Sequence, residues 1–312
     1  MSEFDTWIVQ ARPPRNSVDP MRPYLFFAEE ERSAVGEIVP VNTIFLTNRE
    51  CPWRCLMCDL WKNTLTETVP VGAIPAQIEY GLARLPKASH AKLYNSGSFF
   101  DPRAIPVEDY TTIANLLATY EHVIVESHPA LIDENCLRFR NLLSGRLEVA
   151  MGLETVHPSV LPRLNKRMSL EQFRNAAALL KDNGIDLRVF VLIKPPFLSE
   201  AEAIYWAERS LDFAFDCGAA VATLIPTRGG NGAMDELARM GDFEPPQIAT
   251  VEACLEYGLA MRAGRVFADL WELQRFSTCN VCYESRFERL KQMNLDQTFI
   301  TRVECQACGA RS

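Results

Sequence analysis

The residues with the strongest chemical signature are cysteines, and they gather in two places. Cys51, Cys55 and Cys58 form a C-x3-C-x2-C loop, while Cys279, Cys282, Cys305 and Cys308 form two C-x2-C pairs separated by residues 283–304. Three thiolates on one tight loop can bind three irons of a cubane 4Fe-4S cluster and leave the fourth iron without a protein ligand. A three-thiolate zinc site completed from elsewhere is the alternative. The second group can close a tetrahedral site with no open position, which suits structural zinc; an auxiliary iron–sulfur cluster or free thiols are the other readings. Cys136, Cys217 and Cys254 stand among apolar neighbours and are expected to behave as small buried hydrophobes.

These groups need a scaffold, and the rest of the chain supplies a rhythm of strand and helix. β-rich runs at 43–48, 91–95, 122–127, 147–154, 187–194 and 219–225 alternate with helical patterns at 75–85, 107–120, 131–142, 170–183 and 200–216. Such alternation predicts βαβ units and a parallel sheet. Ser169 with Gln172 and Ser199 with Glu202 read as capping boxes, and Gly184 as the stop of the helix begun at Ser169. Six units fall short of a closed eight-stranded barrel but suit a partial (βα)6 barrel of the α/β class, with its site at the C-terminal strand ends. The predicted organisation is an irregular, Pro-bearing extension over 1–40, a barrel over 41–230, and a helical segment with the four-cysteine module over 231–312. Within that module a helix around Phe287, Leu290 and Met293 and a β-rich run at 298–303 are expected.

The C-x3-C-x2-C loop directly after the first barrel strand resembles the signature of the radical S-adenosylmethionine superfamily, over roughly residues 41–230. The resemblance implies a 4Fe-4S cluster on Cys51, Cys55 and Cys58, S-adenosylmethionine chelated to the open iron, and an electron donor such as flavodoxin or ferredoxin. Asn95, Ser96, Gly97 and Ser98, after the second strand, look like the Ser-Gly-Ser form found in elongator-type and archaeosine-synthase-like cores. Glu126 and Glu154 end the third and fourth strands, where a carboxylate can meet ribose hydroxyls or an amine. Lys194 ends the fifth and could face either the carboxylate of S-adenosylmethionine or Glu154. One departure is Met57, where an aromatic residue often precedes the third cysteine. His128 and His157 read as loop histidines capping backbone groups, and Gly229 to Gly232 as a flexible wall of the substrate site.

Composition sets outer limits. With 48% hydrophobic and 23% charged residues the chain is globular in balance, which excludes a disordered or collagen-like protein. No apolar run approaches the ~20 residues of a membrane span, and residues 1–20 lack an apolar signal region, so a cytoplasmic protein with reduced thiols is expected. A net charge of -8 disfavours polyanionic partners in general. The basic residues of the terminal module, Arg286, Arg289, Lys291, Arg302 and Arg311, are the one nucleic-acid contact the sequence offers. The resemblance implies hydrogen abstraction by a 5'-deoxyadenosyl radical from a tRNA base; radical modification of a small molecule or peptide, or a non-catalytic iron–sulfur and zinc binding protein, are the rivals. No cysteine occurs in residues 1–40, so methylthiolation, which uses an N-terminal cluster domain, is not expected.

Overall fold

The computed structural model describes residues 2–309. In chain order the elements are α1 (Glu3–Ala11), β1 (Leu25–Arg32), β2 (Ile38–Phe45), α2 (Ala73–Leu82), β3 (His90–Tyr94), α3 (Tyr110–Leu116), β4 (His122–Glu126), α4 (Glu134–Leu142), β5 (Arg146–Glu154), α5 (Val160–Arg163), α6 (Leu170–Asp182), β6 (Asp186–Ile193), α7 (Glu200–Asp216), β7 (Val221–Pro226), α8 (Ala233–Met240), α9 (Ile248–Met261), β8 (Arg265–Ala268) and α10 (Tyr283–Asp296). One curled sheet runs β1 to β8 in sequence order, with β1 antiparallel to β2 and every later pair parallel. The expected partial barrel is there: β2 to β7 are the six expected strands, with helices packed outside. Both capping boxes form, and Gly184 follows α6 with φ +63, a conformation that favours glycine.

The sheet reaches further than 41–230 at both edges. β1 lies inside the expected extension and β8 beyond the expected barrel. The acidic run of β1 disguises it, because strand carboxylates normally face water, whereas here alternate ones point into the barrel. Glu31 bonds Arg188 of β6 at 2.5 Å and Lys92 of β3 at 2.6 Å, and Glu29 bonds Lys92 at 2.9 Å. Arg188 also holds Glu148 of β5 at 2.5 Å. Burial pushes the Glu31 carboxyl up, but Arg188 and Lys92 outweigh it and hold the group well below the usual carboxylate range. This ionic layer fills the barrel floor, away from the strand ends that carry chemistry.

α1, in the stretch read as irregular, is capped by a Ser2–Asp5 box and packs Ile8 with Leu56 of the cysteine loop and with Met234 and Leu237 of α8. Residues 298–303 are not a strand; the carbonyls of Ile300 and Thr301 accept from the Arg289 guanidinium of α10 instead of pairing with a neighbour. No described helix is long and apolar enough to cross a membrane.

Candidate metal and cofactor site

The cysteine loop leaves β2 at the C-terminal end of the sheet and is fastened from several sides. Leu56, fully buried, donates to Leu164 O at 2.9 Å. Its own carbonyl and that of Cys58 accept from Asn231 Nδ2 at 2.8 and 3.0 Å. Arg54 takes the carbonyls of Cys51 and Trp53, Asn165 takes that of Arg54, and Trp61 Nε1 takes that of Cys58. The backbone N–H groups of Trp53, near Cys51, and of Leu60 and Trp61, near Cys58, pull those thiols down. Burial pushes all three thiols up to about 12, so only a strongly bound metal would keep them as thiolates.

Around the loop stand most of the expected strand-end residues. Glu126 at the end of β4 accepts the backbone N–H of Asn95 at 2.6 Å and those of Ser96 and Gly97 beside it. Burial raises its carboxyl to about 6, against the pull of those N–H groups. Gly97 brings its backbone against Cys51: a Cβ there would lie 3.3 Å from the Cys51 Cβ. Asn95 is fully buried, and neither end of its amide has a partner among the described residues, an arrangement that costs roughly 1–3 kcal/mol unless something binds there. Glu154 at the end of β5 is paired with Lys166 at 2.5 Å, and the Lys166 ammonium in turn faces Cys55 and Cys51. A cation set against two thiols suits a cluster that carries negative charge.

Backbone strain marks the same place. Ser96, Glu154 and Lys194 have φ of +52, +66 and +52, and Asn165, Arg167 and Phe197 nearby in sequence are also left-handed. Side chains pay a conformational cost there, and such residues collect at functional sites. A β-bulge between Gly152 and Glu154 aims the carboxylate, and a side chain at Gly152 would collide with both Glu154 and Lys166.

Other expected residues are placed differently. Ser98 Oγ accepts from His128 N at 2.9 Å and is used within the protein. Lys194 does not meet Glu154: its ammonium bonds Glu200, the first residue of α7, at 2.7 Å and lies near Pro245 O and Glu244. His128 and His157 are caps. His128 Nδ1 accepts from Ala130 N and its Nε2 bonds Lys166 O, and burial together with the Lys166 charge lowers it to about 4. Its ring stacks on Trp53 of the cysteine loop with centroids 3.8 Å apart. His157 Nδ1 accepts from Ser159 and Val160. The Gly229 to Gly232 segment is a brace and not a flexible wall, because Asp235 takes two of its N–H groups and Asn231 holds the cysteine loop. Met57 packs with Phe197 in the apolar clusters on either side of the loop.

The residues missed from sequence are mostly those braces. Asn231 sat in plain view between two glycines, with Asp235 three residues after Gly232 as a capping signal. Asp5 gave no local signal; it bonds Asn165 and Arg167 across the fold and so fixes the segment that carries Lys166.

The second group of cysteines is compact. The sulfurs of Cys279, Cys282, Cys305 and Cys308 all lie within 4.8 Å of one another, and among the described residues this is the one such group of metal-binding side chains. Cys279 to Cys305 is 3.9 Å and Cys282 to Cys308 is 3.7 Å. Four thiolates at 2.3 Å from a tetrahedral ion sit about 3.8 Å apart, so the spacing is that of a single ion. Backbone N–H groups of Cys282 and Val281 lower the Cys279 thiol to about 7, while burial and the other thiols raise Cys282 to about 12. Among the described residues the three thiols of the first loop do not form a group as compact as this.

Two of the module's arginines face inward. Arg286 and Arg289 are buried against Glu252 and Glu256 of α9, and Arg302 bonds Glu256 at 2.6 Å. Lys291 stays exposed beside Glu288, and Arg311 lies outside the described residues. The basic face expected there is neutralised by α9.

No known protein-family profile matches the chain. It is 28% identical over 287 residues to the uncharacterized protein MJ0550 of Methanocaldococcus jannaschii, covering 85% of this chain and 79% of that one. It is 25% identical over 221 residues to archaeosine synthase subunit beta of Methanosarcina acetivorans, covering 67% of this chain and 64% of the relative. Among solved structures it superposes on archaeal Elp3 of Methanocaldococcus infernus with a TM-score of 0.54 at 15% identity, over 85% of this chain and 65% of the other. The chain thus spans less than two thirds of those last two proteins.

Proposed function

We propose that this chain, whose fold and core are those of the radical S-adenosylmethionine enzymes of the elongator-like and archaeosine-synthase-like kind, uses the Cys51, Cys55 and Cys58 loop to hold a 4Fe-4S cluster and modifies a tRNA base. The observation that carries the reading is the loop itself: three half-buried thiols on one short loop, with the Lys166 cation and the Glu126-bound turn beside them. Bound there, a cluster with one open iron would supply the electron that splits S-adenosylmethionine into methionine and a 5'-deoxyadenosyl radical. The chain's own groups do the rest. Asn95 and Glu126 offer a buried amide and a carboxylate to the polar end of the cofactor, and Glu154 and Lys166 balance charge next to the thiols. The likeness to a protein named archaeosine synthase subunit beta favours a nucleoside of RNA as the substrate. The four-cysteine module takes one structural zinc, supported by its sulfur spacing.

The test is anaerobic reconstitution with iron and sulfide followed by dithionite and S-adenosylmethionine. Release of 5'-deoxyadenosine is expected, and its absence from a protein with a full cluster would overturn the enzymatic reading. Comparison of digested tRNA nucleosides from a deletion strain and its parent then tests the substrate: a modified nucleoside lost in the deletion supports it, and identical tRNA with a changed small metabolite refutes it.

A further inference from the structure

On the outer side of the cysteine loop opens a cavity of about 300 Å³ whose walls include Arg15, Arg49, Arg54, Arg103, Glu50 and Cys51 itself. Its charge is unbalanced. Glu50 is the only carboxylate lining it and is shared by three guanidiniums, Arg12 at 2.7 Å, Arg54 at 3.2 Å and Arg15. Arg49 makes no side-chain hydrogen bond or ion pair among the described residues, and half-exposed Arg103 has only Asp101, at 3.0 Å. The Nε atoms of Arg12 and Arg54 are buried without partners. In a chain of net charge -8, several guanidiniums around one carboxylate keep a local positive surplus that an anion would relieve. Several guanidiniums lining one cavity suit the several oxygens of a phosphate, which two or more of them can hold at once.

We infer that this arginine cavity binds a phosphate group of the substrate and so positions it at the cysteine loop. Since Cys51 is at once a wall of the cavity and a member of the thiol triad, a phosphate anchored there fixes one end of a molecule whose other end reaches the mouth. The inference rests on the reading of that loop as the reactive centre. The shared chemistry is a phosphate ester, either the backbone phosphodiester of an RNA or the phosphate of a small phosphorylated substrate.

The experiment measures equilibrium binding of an unmodified tRNA transcript and, separately, of guanosine 5'-monophosphate to the full chain and to Arg49→Ala and Arg103→Ala. Arg49 has no side-chain partner among the described residues to lose, whereas Arg103 gives up its pair with buried Asp101, so melting of each variant is compared with the parent and Arg49→Ala decides. For tRNA, each variant should weaken binding about three- to tenfold and make the slope of log affinity against log salt shallower by about 0.7–1. If tRNA binds the parent and both variants with the same affinity and slope, the cavity is not the phosphate site, though the RNA reading survives. If tRNA does not bind but the mononucleotide does, and is lost in the variants, the cavity stands and the RNA reading falls. If the parent binds neither probe, the inference is overturned.

Discussion

The two cysteine groups share a residue type and differ in almost everything around it. The terminal sulfurs lie within bonding distance of one ion, on short knuckles whose N–H groups face the thiols. The loop sulfurs are farther apart, and distant elements hold their backbone: Asn231 before α8, Asn165 after α5, and Leu164 beside it. A closed ion needs only its own short segment to form, whereas a cluster with an open position needs a whole mouth. The arginines repeat the contrast. Near the terminal group each buried one meets a glutamate of α9, and near the loop several compete for Glu50. Structure is finished where charge is balanced, and binding is invited where it is not.

The largest expected effect breaks the contrast from one side. Replacing Cys51, Cys55 and Cys58 with Ala should abolish iron binding and 5'-deoxyadenosine release, while elemental analysis still finds the terminal zinc. Loss of both metals together would mean that the groups are not independent. Next, Cys305→Ser with Cys308→Ser should release about one zinc per chain and leave the loop's iron in place. Because a structural ion is coupled to folding of its own segment, hydrogen exchange should rise over residues 278–309 and stay low in β2 to β7. Falling acid-labile sulfide would show an auxiliary cluster instead.

A smaller effect probes how the mouth is tuned. Gly152→Ala drives a methyl group into Glu154 and Lys166, which should cost roughly 1–3 kcal/mol of stability by overpacking. Affinity for S-adenosylmethionine, measured by dialysis on the reconstituted protein, should fall about tenfold, equal to about 1.4 kcal/mol. Unaltered affinity would detach Glu154 from the cofactor. Glu126 gives a pH signature. Its carboxyl is raised to about 6 by burial, so the folded protein holds that proton more tightly than the unfolded chain, and stability drops as pH rises from the ordinary glutamate range, 4.5, to about 6. Cofactor affinity has the opposite sign: a cationic amine needs the ionised carboxylate, so binding should weaken as pH falls through about 6. Glu126→Gln should flatten that profile, and an unchanged profile would remove Glu126 from the site.

Much of this was legible in the sequence because the barrel strands are apolar runs between capped helices, and periodicity reports such elements directly. The thiol groups were legible for a different reason, since ligand spacing along a loop survives without knowledge of the fold. What stayed hidden depends on pairing across the fold. β1 reads as a charged run until Lys92 and Arg188 are placed against it, and the terminal arginines read as a basic face until α9 supplies Glu252 and Glu256. Lys194, a cation at the expected height, is drawn to Glu200 by the start of α7. Spacing says which residues are near in the chain, and charge partners come from anywhere.

The smallest expected effect tests the arginine contrast where it is easiest to miss. Arg302 is partly exposed, and its guanidinium bonds Glu256, which Arg289 also holds at 2.6 Å. Removing it leaves Glu256 paired, so Arg302→Ala should cost no more than about 1 kcal/mol, the range of exposed ion pairs. If the module's positive charge is spent on α9, this variant should also leave tRNA affinity within about twofold of the parent and the salt slope unchanged, whereas Arg49→Ala lowers both. Equal losses from Arg302→Ala and Arg49→Ala would place nucleic acid across both regions, and the division between a balanced module and an unbalanced mouth would fail. A loss from Arg302→Ala alone would move the RNA contact to the terminal module, where the sequence first suggested it.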